Sequence, residues 1–328
     1  MKKLLVSMMA LVLMLTGCGT GEVNTTPTDL SEAKVGVIQL MQHTALDASY
    51  EGFKDVLVEA GVNENNIEYL VAGDVSNCST VADKLVNSGK NLIYAIATPA
   101  LQSVAAATSD IPVVGCAVTD YESTNLIQSN ENPGGNVTGA SDLTPIKEQF
   151  DLIKELLPDA KNVAIMYCGS EDNSIIQGKI AEEAGKNLGL QTKVYTVSES
   201  SEIQSVTEKI CSDNNDVIYI PTDNLLATYM SSVEAVASQY KIPVIPGEEG
   251  MCAAGGYATY GLDYYNLGKL AGQQALAILK GEATAATTPI AYLDAKDCQL
   301  VINLKTAAKC GLETDKAKYN ENAKFIEE

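Results

Sequence analysis

The stretch Leu92–Ala100 reads LIYAIATPA and decides the fold, because the chain repeats its pattern. An apolar run of strand length ends at Thr98, a favourable N-cap, and Pro99 opens an alanine-rich helical stretch, where a missing N–H removes no hydrogen bond. The second copy, Val217–Asn224, reads VIYIPTDN and also leads from a buried strand into a polar helix start. Such a junction leaves free N–H groups at the carboxyl edge of a sheet, where open α/β sheets bind small ligands.

Two further pairs of strings repeat at almost the same distance. Lys34–Ile38 matches Asn162–Met166 at an offset of 128 (162 − 34), and Ile111–Val114 matches Ile242–Ile245 at an offset of 131 (242 − 111). The apolar strands are continuous and alternate with helical segments, which is typical of parallel sheets covered on both faces. The sequence therefore predicts an α/β protein with two doubly wound parallel-sheet lobes of the same topology.

Composition and charge narrow the possible partners. The 328 residues carry a formal net charge of −20, with 46% hydrophobic and 20% charged residues. A chain this acidic does not bind phosphate backbones electrostatically, so we expect no nucleic-acid partner. The sequence contains neither Arg nor Trp. A ligand carboxylate must therefore be held by backbone N–H groups, hydroxyls or Lys, because the bidentate guanidinium fork is missing.

The first residues have the pattern of an export signal. Lys2 and Lys3 precede an apolar core, Leu4–Leu15, which is too short to span a membrane. The exit, Leu-Thr-Gly-Cys, resembles a bacterial lipobox, which implies lipidation of Cys18 after cleavage. We therefore expect a signal peptide over 1–18, a flexible tether over 19–33, and a lipid-anchored protein on the extracytoplasmic face of the cell membrane.

The sequence has no recognisable catalytic centre. It lacks G-x-S-x-G, Walker A and G-x-G-x-x-G motifs, and His43 is its only histidine. Paired carboxylates such as Glu248 and Glu249 are expected to be solvated charges in so acidic a chain. The cysteines after Cys18 have no C-x-x-C spacing and lie mostly in apolar segments, which favours buried free thiols. We expect no enzyme, no cofactor and no metal.

An ordered set of short strings resembles the tryptophan/tyrosine-type family of substrate-binding proteins of ABC importers, which have the type I periplasmic-binding fold. The strings are His43–Asp47, Ala97–Ala100, Ala117–Asp120, Pro133–Asp142, Ser170–Ser174, Pro221–Asn224, Gly261–Tyr264 and Ile302–Leu304. They lie within residues 34–312, so the resemblance covers most of the chain.

The resemblance implies two lobes joined by crossing hinge segments. We place lobe 1 at 34–139 and 263–287, and lobe 2 at 140–262 and 288–328. It also implies an amino-acid ligand, tryptophan, tyrosine or phenylalanine, captured between the lobes by a monomer and delivered to ABC permease subunits. A nucleoside or a short peptide remains an alternative ligand, and a sensory lipoprotein without transport remains an alternative role.

Candidate ligand contacts follow from these strings and from the predicted strand ends. A ligand carboxylate fits the helix starts at Thr98 or Ser170–Ser174. The ammonium needs an anion, for which Asp223 is the first choice and Asp142 and Asp263 are alternatives. Tyr121, Tyr260 and Tyr264 are candidate stacking walls. The predicted ligand-binding residues are His43, Leu46, Thr98, Pro99, Ala100, Thr119, Asp120, Tyr121, Ser141, Asp142, Ser170, Asn173, Ser174, Asp223, Asn224, Glu249, Tyr260 and Asp263.

The lipidation hypothesis makes the first testable prediction. Cys18→Ala removes the thiol that carries the lipid, so the variant should be released from the membrane or remain as uncleaved precursor. Cell fractionation and immunoblotting measure both outcomes. A Cys18→Ala protein that is processed and retained like the wild type would contradict the hypothesis.

Overall fold

The computed structural model describes residues 29–294 and 298–327. The predicted signal peptide, Cys18 and most of the predicted tether lie outside these residues. The last residues of that tether are described: Leu30–Glu32 form a 3₁₀ turn, in which Asp29 Oδ1 accepts the Ser31 N–H at 2.8 Å. In the described residues no helix is long and apolar enough to cross a bilayer.

The chain builds two lobes, returns to the first and ends in the second. The first part contains β1 (Val35–Gln39), α1 (Thr44–Glu59), β2 (Ile67–Val71), α2 (Cys78–Val86), β3 (Leu92–Ile96), α3 (Thr98–Ala107), β4 (Val113–Val118) and β5 (Val137–Ser141). The second part contains α4 (Ile146–Leu156), β6 (Asn162–Cys168), α5 (Asp172–Asn187), β7 (Gln191–Val197), α6 (Ile203–Ser212), β8 (Val217–Ile220), α7 (Asn224–Thr228), α8 (Met230–Ala237), β9 (Val244–Pro246), α9 (Glu249–Ala253) and β10 (Ala258–Gly261). The remainder contains α10 (Tyr264–Leu279), β11 (Ala291–Tyr292), β12 (Gln299–Asn303), α11 (Leu304–Cys310) and β13 (Lys324–Ile326).

The predicted repeat is present in the topology. The first sheet has the order β11-β5-β4-β3-β1-β2, and the second has the order β7-β6-β8-β9. The first four strands of each lobe are thus arranged identically, and every pair in these two sheets is parallel. The matched tyrosines Tyr94 and Tyr219 are both buried and each packs against a phenylalanine, Phe53 and Phe150 respectively.

The chain crosses between lobes slightly later than predicted. β5 runs to Ser141 within the first sheet, and β11 pairs with β5, so residues 140–141 and 291–292 belong to lobe 1 rather than lobe 2. Lobe 2 also has a small third sheet, in which β10 pairs antiparallel with β12 and β12 pairs parallel with β13. The C-terminal strand that closes this sheet has no counterpart in the repeat.

Two helix starts at the carboxyl edge of the first sheet have no side-chain cap. Helix α1 begins at Thr44 with His43 as its N-cap residue, and His43 makes no side-chain cap. Helix α3 begins at Thr98, after Ala97, instead of being capped by the Thr98 hydroxyl. The N–H groups at these two helix starts therefore face the cleft side of the sheet without a side-chain acceptor of their own.

Six of the cysteines are packed in the lobes as small apolar side chains, as predicted. The buried free thiols are Cys78, Cys116, Cys168, Cys211, Cys252 and Cys310. Burial raises the pKa of the Cys116 thiol to about 12, so it stays protonated at neutral pH.

Helices α1 and α10 approach each other so closely that glycine is needed at the contact. A Cβ atom on Gly52 would lie 2.0 Å from the Tyr265 carbonyl oxygen, and one on Gly268 would lie 2.1 Å from that of Ser49. This contact fixes the start of α1, and with it His43, relative to the hinge that leads into α10.

Gly268→Ala should therefore destabilise the protein by about 1–3 kcal/mol, because the overlap with the Ser49 carbonyl outweighs the gain in helix propensity. Urea denaturation measures the free energy of unfolding. Gly135→Ala is the matched control, since its Cβ would meet only the Leu126 carbonyl oxygen at 4.0 Å. Equal stability of the two variants would show that α1 and α10 can separate without cost.

Candidate functional site

A small cavity lies where the carboxyl edges of the two parallel sheets face each other. It is partly open to solvent and contains about 310 Å³ of space free of atoms. We call it the central cavity; it is lined by His43, Ala45, Leu46, Ala117, Thr119, Asp142, Asn173, Thr222, Asp223, Asn224, Ala227, Glu248 and Tyr264. Both lobes contribute, so the cavity exists only when they face each other as they do here.

An irregular backbone in lobe 1 shapes one wall of the cavity. The register of β4 against β5 shifts between Gly115 and Val118, and Ala117 within this bulge has φ of +53°. Ala97, at the end of the neighbouring strand, has φ of +85°. Non-glycine residues rarely adopt such angles, and bulges near sites redirect the following side chains. The bulge here precedes Thr119, which lines the cavity.

Asp142 is a buried carboxylate held only by hydroxyl groups of lobe 1. Tyr264 donates its phenol O–H to Asp142 Oδ2 at 2.9 Å, and Thr119 donates to Oδ1 at 3.4 Å. Asp142 is only 4% exposed. Burial raises its pKa to about 6, because the two hydroxyl bonds offset only part of the lost hydration. Its charge is therefore incompletely compensated by the protein.

Asp223 is a helix cap whose two oxygens are already occupied. Oδ1 accepts the Leu226 N–H at 2.8 Å, and Oδ2 accepts the Cys168 N–H at 2.6 Å and the Ser174 O–H at 2.8 Å. It still lines the cavity, but it is a weaker candidate for the ammonium than Asp142. We expect Asp223→Asn to disturb the structure, because a side-chain NH₂ in place of Oδ2 would oppose the Cys168 N–H.

Glu248 and Glu171 are buried carboxylates that sequence reasoning missed. Glu248 caps α9 through the N–H groups of Gly250 and Met251, and burial raises its pKa to about 7. Glu171 accepts the Leu225 N–H at 3.1 Å, and burial raises its pKa as well. Glu248 was expected to be solvated, yet it follows β9 as Asp223 follows β8. The position of Glu248 directly after a strand of the repeat could have indicated that it lines the cavity.

Hydrogen bonds join the lobes around the cavity. The Gln177 amide on α5 donates to the Thr119 hydroxyl of lobe 1, with 3.3 Å between Nε2 and Oγ1. His43 Nε2 lies 3.3 Å from Asn224 Oδ1, and Gln102 Nε2 lies 2.9 Å from Asp172 Oδ2. Gln177 is fully buried and was not among the predicted residues, because an amide within a helix carries no distinctive pattern.

The predicted residues that do line the central cavity are His43, Leu46, Thr119, Asn173, Asn224, Asp142 and Asp223, together with the candidate wall Tyr264. Two others support it from behind. The Ser174 hydroxyl donates to Asp223, and the Ser141 hydroxyl donates to the Thr119 carbonyl at 2.8 Å. Thr98, Pro99 and Ala100 are buried at the start of α3 but do not line the cavity.

Two of the predicted stacking walls are corrected. Tyr121 is 1% exposed and donates its O–H to the Ala140 carbonyl, in space left by the absent side chains of Gly115 and Gly139. It is a core residue. Tyr260 lies on β10 and lines a separate surface cavity beside α4. Neither ring can stack on a ligand in the central cavity.

Four polar predictions also lie elsewhere. Asp263 is exposed and caps α10, and Glu249 pairs with Lys324; both line a hinge cavity of about 880 Å³ beside the central one. Asp120 accepts the N–H groups of Glu122 and Ser123 in a turn. Ser170 is exposed and lines a larger cavity of about 1370 Å³ at the edge of the cleft. A position at a strand end therefore does not distinguish these four residues from those that line the central cavity.

Comparisons with known proteins agree with this architecture. The model of a family described as ABC transporter substrate binding protein matches residues 34–324. A tyrosine-binding protein of Clostridioides difficile is 36% identical, with 98% of each chain covered. An ABC domain from Streptococcus pneumoniae in complex with L-Trp is 35% identical, covers 90% of this chain and 99% of its own, and superposes with a TM-score of 0.85.

A third relative allows the arrangement of the two lobes to be compared. The ligand-free, open structure of a substrate-binding protein with adhesive properties from Clostridium difficile is 33% identical, with 90% of this chain and 99% of that chain covered. Its TM-score is only 0.68, although its identity is almost that of the L-Trp complex. The lobes of this chain are therefore arranged more like those of the complex than like those of the open structure.

The burial of Asp142 makes stability depend on pH. Its pKa is about 6 in the folded chain against an ordinary 3.8, so between these values the folded state binds more protons than the unfolded state. The stabilisation of the fold that comes from proton binding at Asp142 is thus fully present below pH 3.8 and is lost as the pH rises to 6. Relative to Asp142→Asn, the ligand-free wild type should gain on the order of 2 kcal/mol between pH 6 and pH 4 in urea denaturation. Parallel stability curves for the two proteins would refute this.

Proposed function

Because the chain belongs to the family of ABC transporter substrate-binding proteins, we propose that it captures one aromatic amino acid in the central cavity and delivers it to the permease of an importer. The family is one of solute-binding proteins, so no enzymatic activity is proposed. The names of the relatives, a tyrosine-binding protein and an L-Trp complex, support an aromatic ligand.

The observation that carries the proposal is the uncompensated negative charge of the cavity. Asp142, Asp223 and Glu248 all line it, and no Lys is among its lining residues in the described chain. Asp223 and Glu248 accept backbone N–H groups at helix starts, whose partial positive charge offsets part of theirs. Asp142 has only hydroxyl donors. A ligand ammonium supplies the cation that a buried carboxylate otherwise lacks.

The ligand carboxylate has a suitable place at the start of α1. This helix is 16 residues long, and its first turn receives no cap from the His43 side chain. Ala45 and Leu46 of that turn line the cavity, which brings the N-terminal end of the helix to its wall. Unpaired N–H groups and the helix dipole bind a carboxylate without any Arg, as this composition requires.

The remaining wall fits a single apolar side chain. Leu46, Ala117, Ala227 and the ring of Tyr264 provide apolar surface. The lipid anchor at Cys18 would hold the protein on the extracytoplasmic face, where delivery to a permease takes place.

Asp142→Asn tests this assignment. Loss of the carboxylate leaves the ligand ammonium buried without an anion, so affinity for L-tyrosine and L-tryptophan should fall on the order of a hundredfold or more. Isothermal titration calorimetry measures it. Asp83→Asn, the same change at an exposed position on α2, should bind like the wild type.

The wild type must first be screened against the twenty amino acids, common nucleosides and dipeptides by thermal shift. Binding of a nucleoside or peptide in place of any amino acid would overturn the proposed function. Retention of amino-acid affinity within a few-fold in Asp142→Asn would overturn only the role of Asp142.

A further inference from the structure

The two hydroxyl groups that donate to Asp142 differ in the strength of their hydrogen bonds. The Tyr264 hydroxyl lies 2.9 Å from Oδ2, an ordinary hydrogen-bond length, whereas 3.4 Å separates the Thr119 hydroxyl from Oδ1. The Thr119 hydroxyl also accepts from the Gln177 amide of lobe 2 at 3.3 Å, so its orientation depends on contact between the lobes. Tyr264 is therefore the principal donor to Asp142.

Tyr264 and Asp142 are held together within lobe 1. The Asp142 N–H donates to the Val118 carbonyl at the end of β4, at 3.3 Å, which ties this residue to the first sheet. Tyr264 is the first residue of α10, and this helix packs on β4 and β5 of the same sheet. Both partners thus move with lobe 1, so separation of the lobes does not require their hydrogen bond to break.

Helix α10 also places Tyr264 beside the start of α1. The two helices run side by side in the same direction, because Gly52 lies against Tyr265 and, further along both helices, Gly272 lies against Val56. The first turns of both helices line the central cavity. Under the proposed function, this packed helix pair fixes the distance between the ligand carboxylate, at the start of α1, and the ligand ammonium.

The phenol of Tyr264 serves Asp142 as a permanent donor. Tyr264 is 6% exposed, and burial raises the pKa of its hydroxyl well above the ordinary value, so it keeps its proton at neutral pH. Because a carboxylate only accepts, this bond fixes the position of Oδ2 and stabilises the charged form of Asp142. The charged form is the one that binds a cation.

We propose that Tyr264 is a positioning residue for the ligand ammonium and acts through Asp142, whose carboxylate its hydroxyl orients and keeps charged. This inference rests on the proposed function of the central cavity. The sequence predicts Tyr264 as a stacking wall, a role that belongs to its ring, whereas the proposed role belongs to its O–H. Loss of the hydroxyl should therefore weaken ligand binding in a way that depends on pH, while loss of a wall would weaken it equally at every pH.

Other titratable groups also face Asp142. Cys116 on β4 and Tyr121 after it are buried, and burial raises the pKa of both, so both are neutral between pH 5 and pH 8. Glu248, before α9, has a pKa of about 7 and titrates in this range. The cavity is also lined by His43 and Asp223. Because Tyr264→Phe changes none of these side chains, the difference between its pH profile and that of the wild type reports on Asp142.

The first test compares pH profiles of binding. Calorimetry between pH 5 and pH 8 measures the affinity of the wild type, Tyr264→Phe and Tyr265→Phe for L-tyrosine and L-tryptophan. The wild-type affinity should fall below about pH 6, where Asp142 becomes protonated. In Tyr264→Phe the fall should begin about one pH unit higher, so binding should be about fivefold weaker than in the wild type at pH 6 and should approach it at pH 8. Tyr265→Phe is the matched control and should follow the wild type, because its hydroxyl donates to Asp55.

The second test removes the partner of the hydroxyl. In an Asp142→Asn background, Tyr264→Phe should add no pH-dependent loss of affinity, because no carboxylate is left to be kept charged. Thermal melting checks that Tyr264→Phe folds; if it does not, 4-fluorophenylalanine incorporated at position 264 fills the space of the hydroxyl without supplying a donor and takes its place in both tests.

Two results would overturn the inference. One is a pH profile of Tyr264→Phe that equals that of the wild type, and the other is a weakening that is the same at every pH and persists in the Asp142→Asn background. Failure of the proposed function is a different outcome, in which the wild type binds no amino acid at any pH, and it would overturn the inference as well.

Discussion

The site depends on how buried carboxylates are balanced where two sheets meet edge to edge. Parallel strands end on one side, and each following helix presents its N-terminus there. Asp223 and Glu248 cap such helices, and Glu171 accepts an N–H from the first turn of α7. Asp142 lies between β5 and α4 and accepts only from two hydroxyls. The protein thus stabilises most of its buried carboxylates by backbone N–H groups and leaves Asp142 to hydroxyl donors.

The fold could be predicted from the sequence because the information is local and duplicated. Continuous apolar strands and helix starts occur in the same order twice, and the observed strand orders agree. The position of Asp142 at the cavity could be predicted for the same reason, because this residue directly follows a strand. What could not be predicted was the partner of each side chain. Whether Asp223 is a cap or a free carboxylate depends on where the Cys168 N–H and the Ser174 hydroxyl lie.

The surroundings of the tyrosines could not be predicted from the sequence either. Tyr121 follows a strand, as a ligand-stacking residue would, but Gly115 and Gly139 leave room for its phenol beneath the sheet. A Cβ on Gly139 would lie 2.3 Å from the Tyr121 hydroxyl. Tyr260 belongs to β10, whose partner β12 comes from a segment outside the repeat. Burial of a tyrosine is decided by such distant neighbours, and spacing in the sequence does not contain them.

Closure of the lobes and recognition of charge are connected through Gln177. Its amide is fixed within lobe 2, because Oε1 accepts the Thr222 hydroxyl and Nε2 donates to the Thr222 carbonyl, both at 2.9 Å. The second N–H of that amide reaches the Thr119 hydroxyl oxygen of lobe 1. A hydroxyl that accepts from an amide keeps its own hydrogen for donation, and the nearest carboxylate oxygen is that of Asp142. Contact between the lobes therefore orients Thr119 towards Asp142 and favours the charged form of the carboxylate, so under the proposed function the closed arrangement is also the one best suited to hold an ammonium.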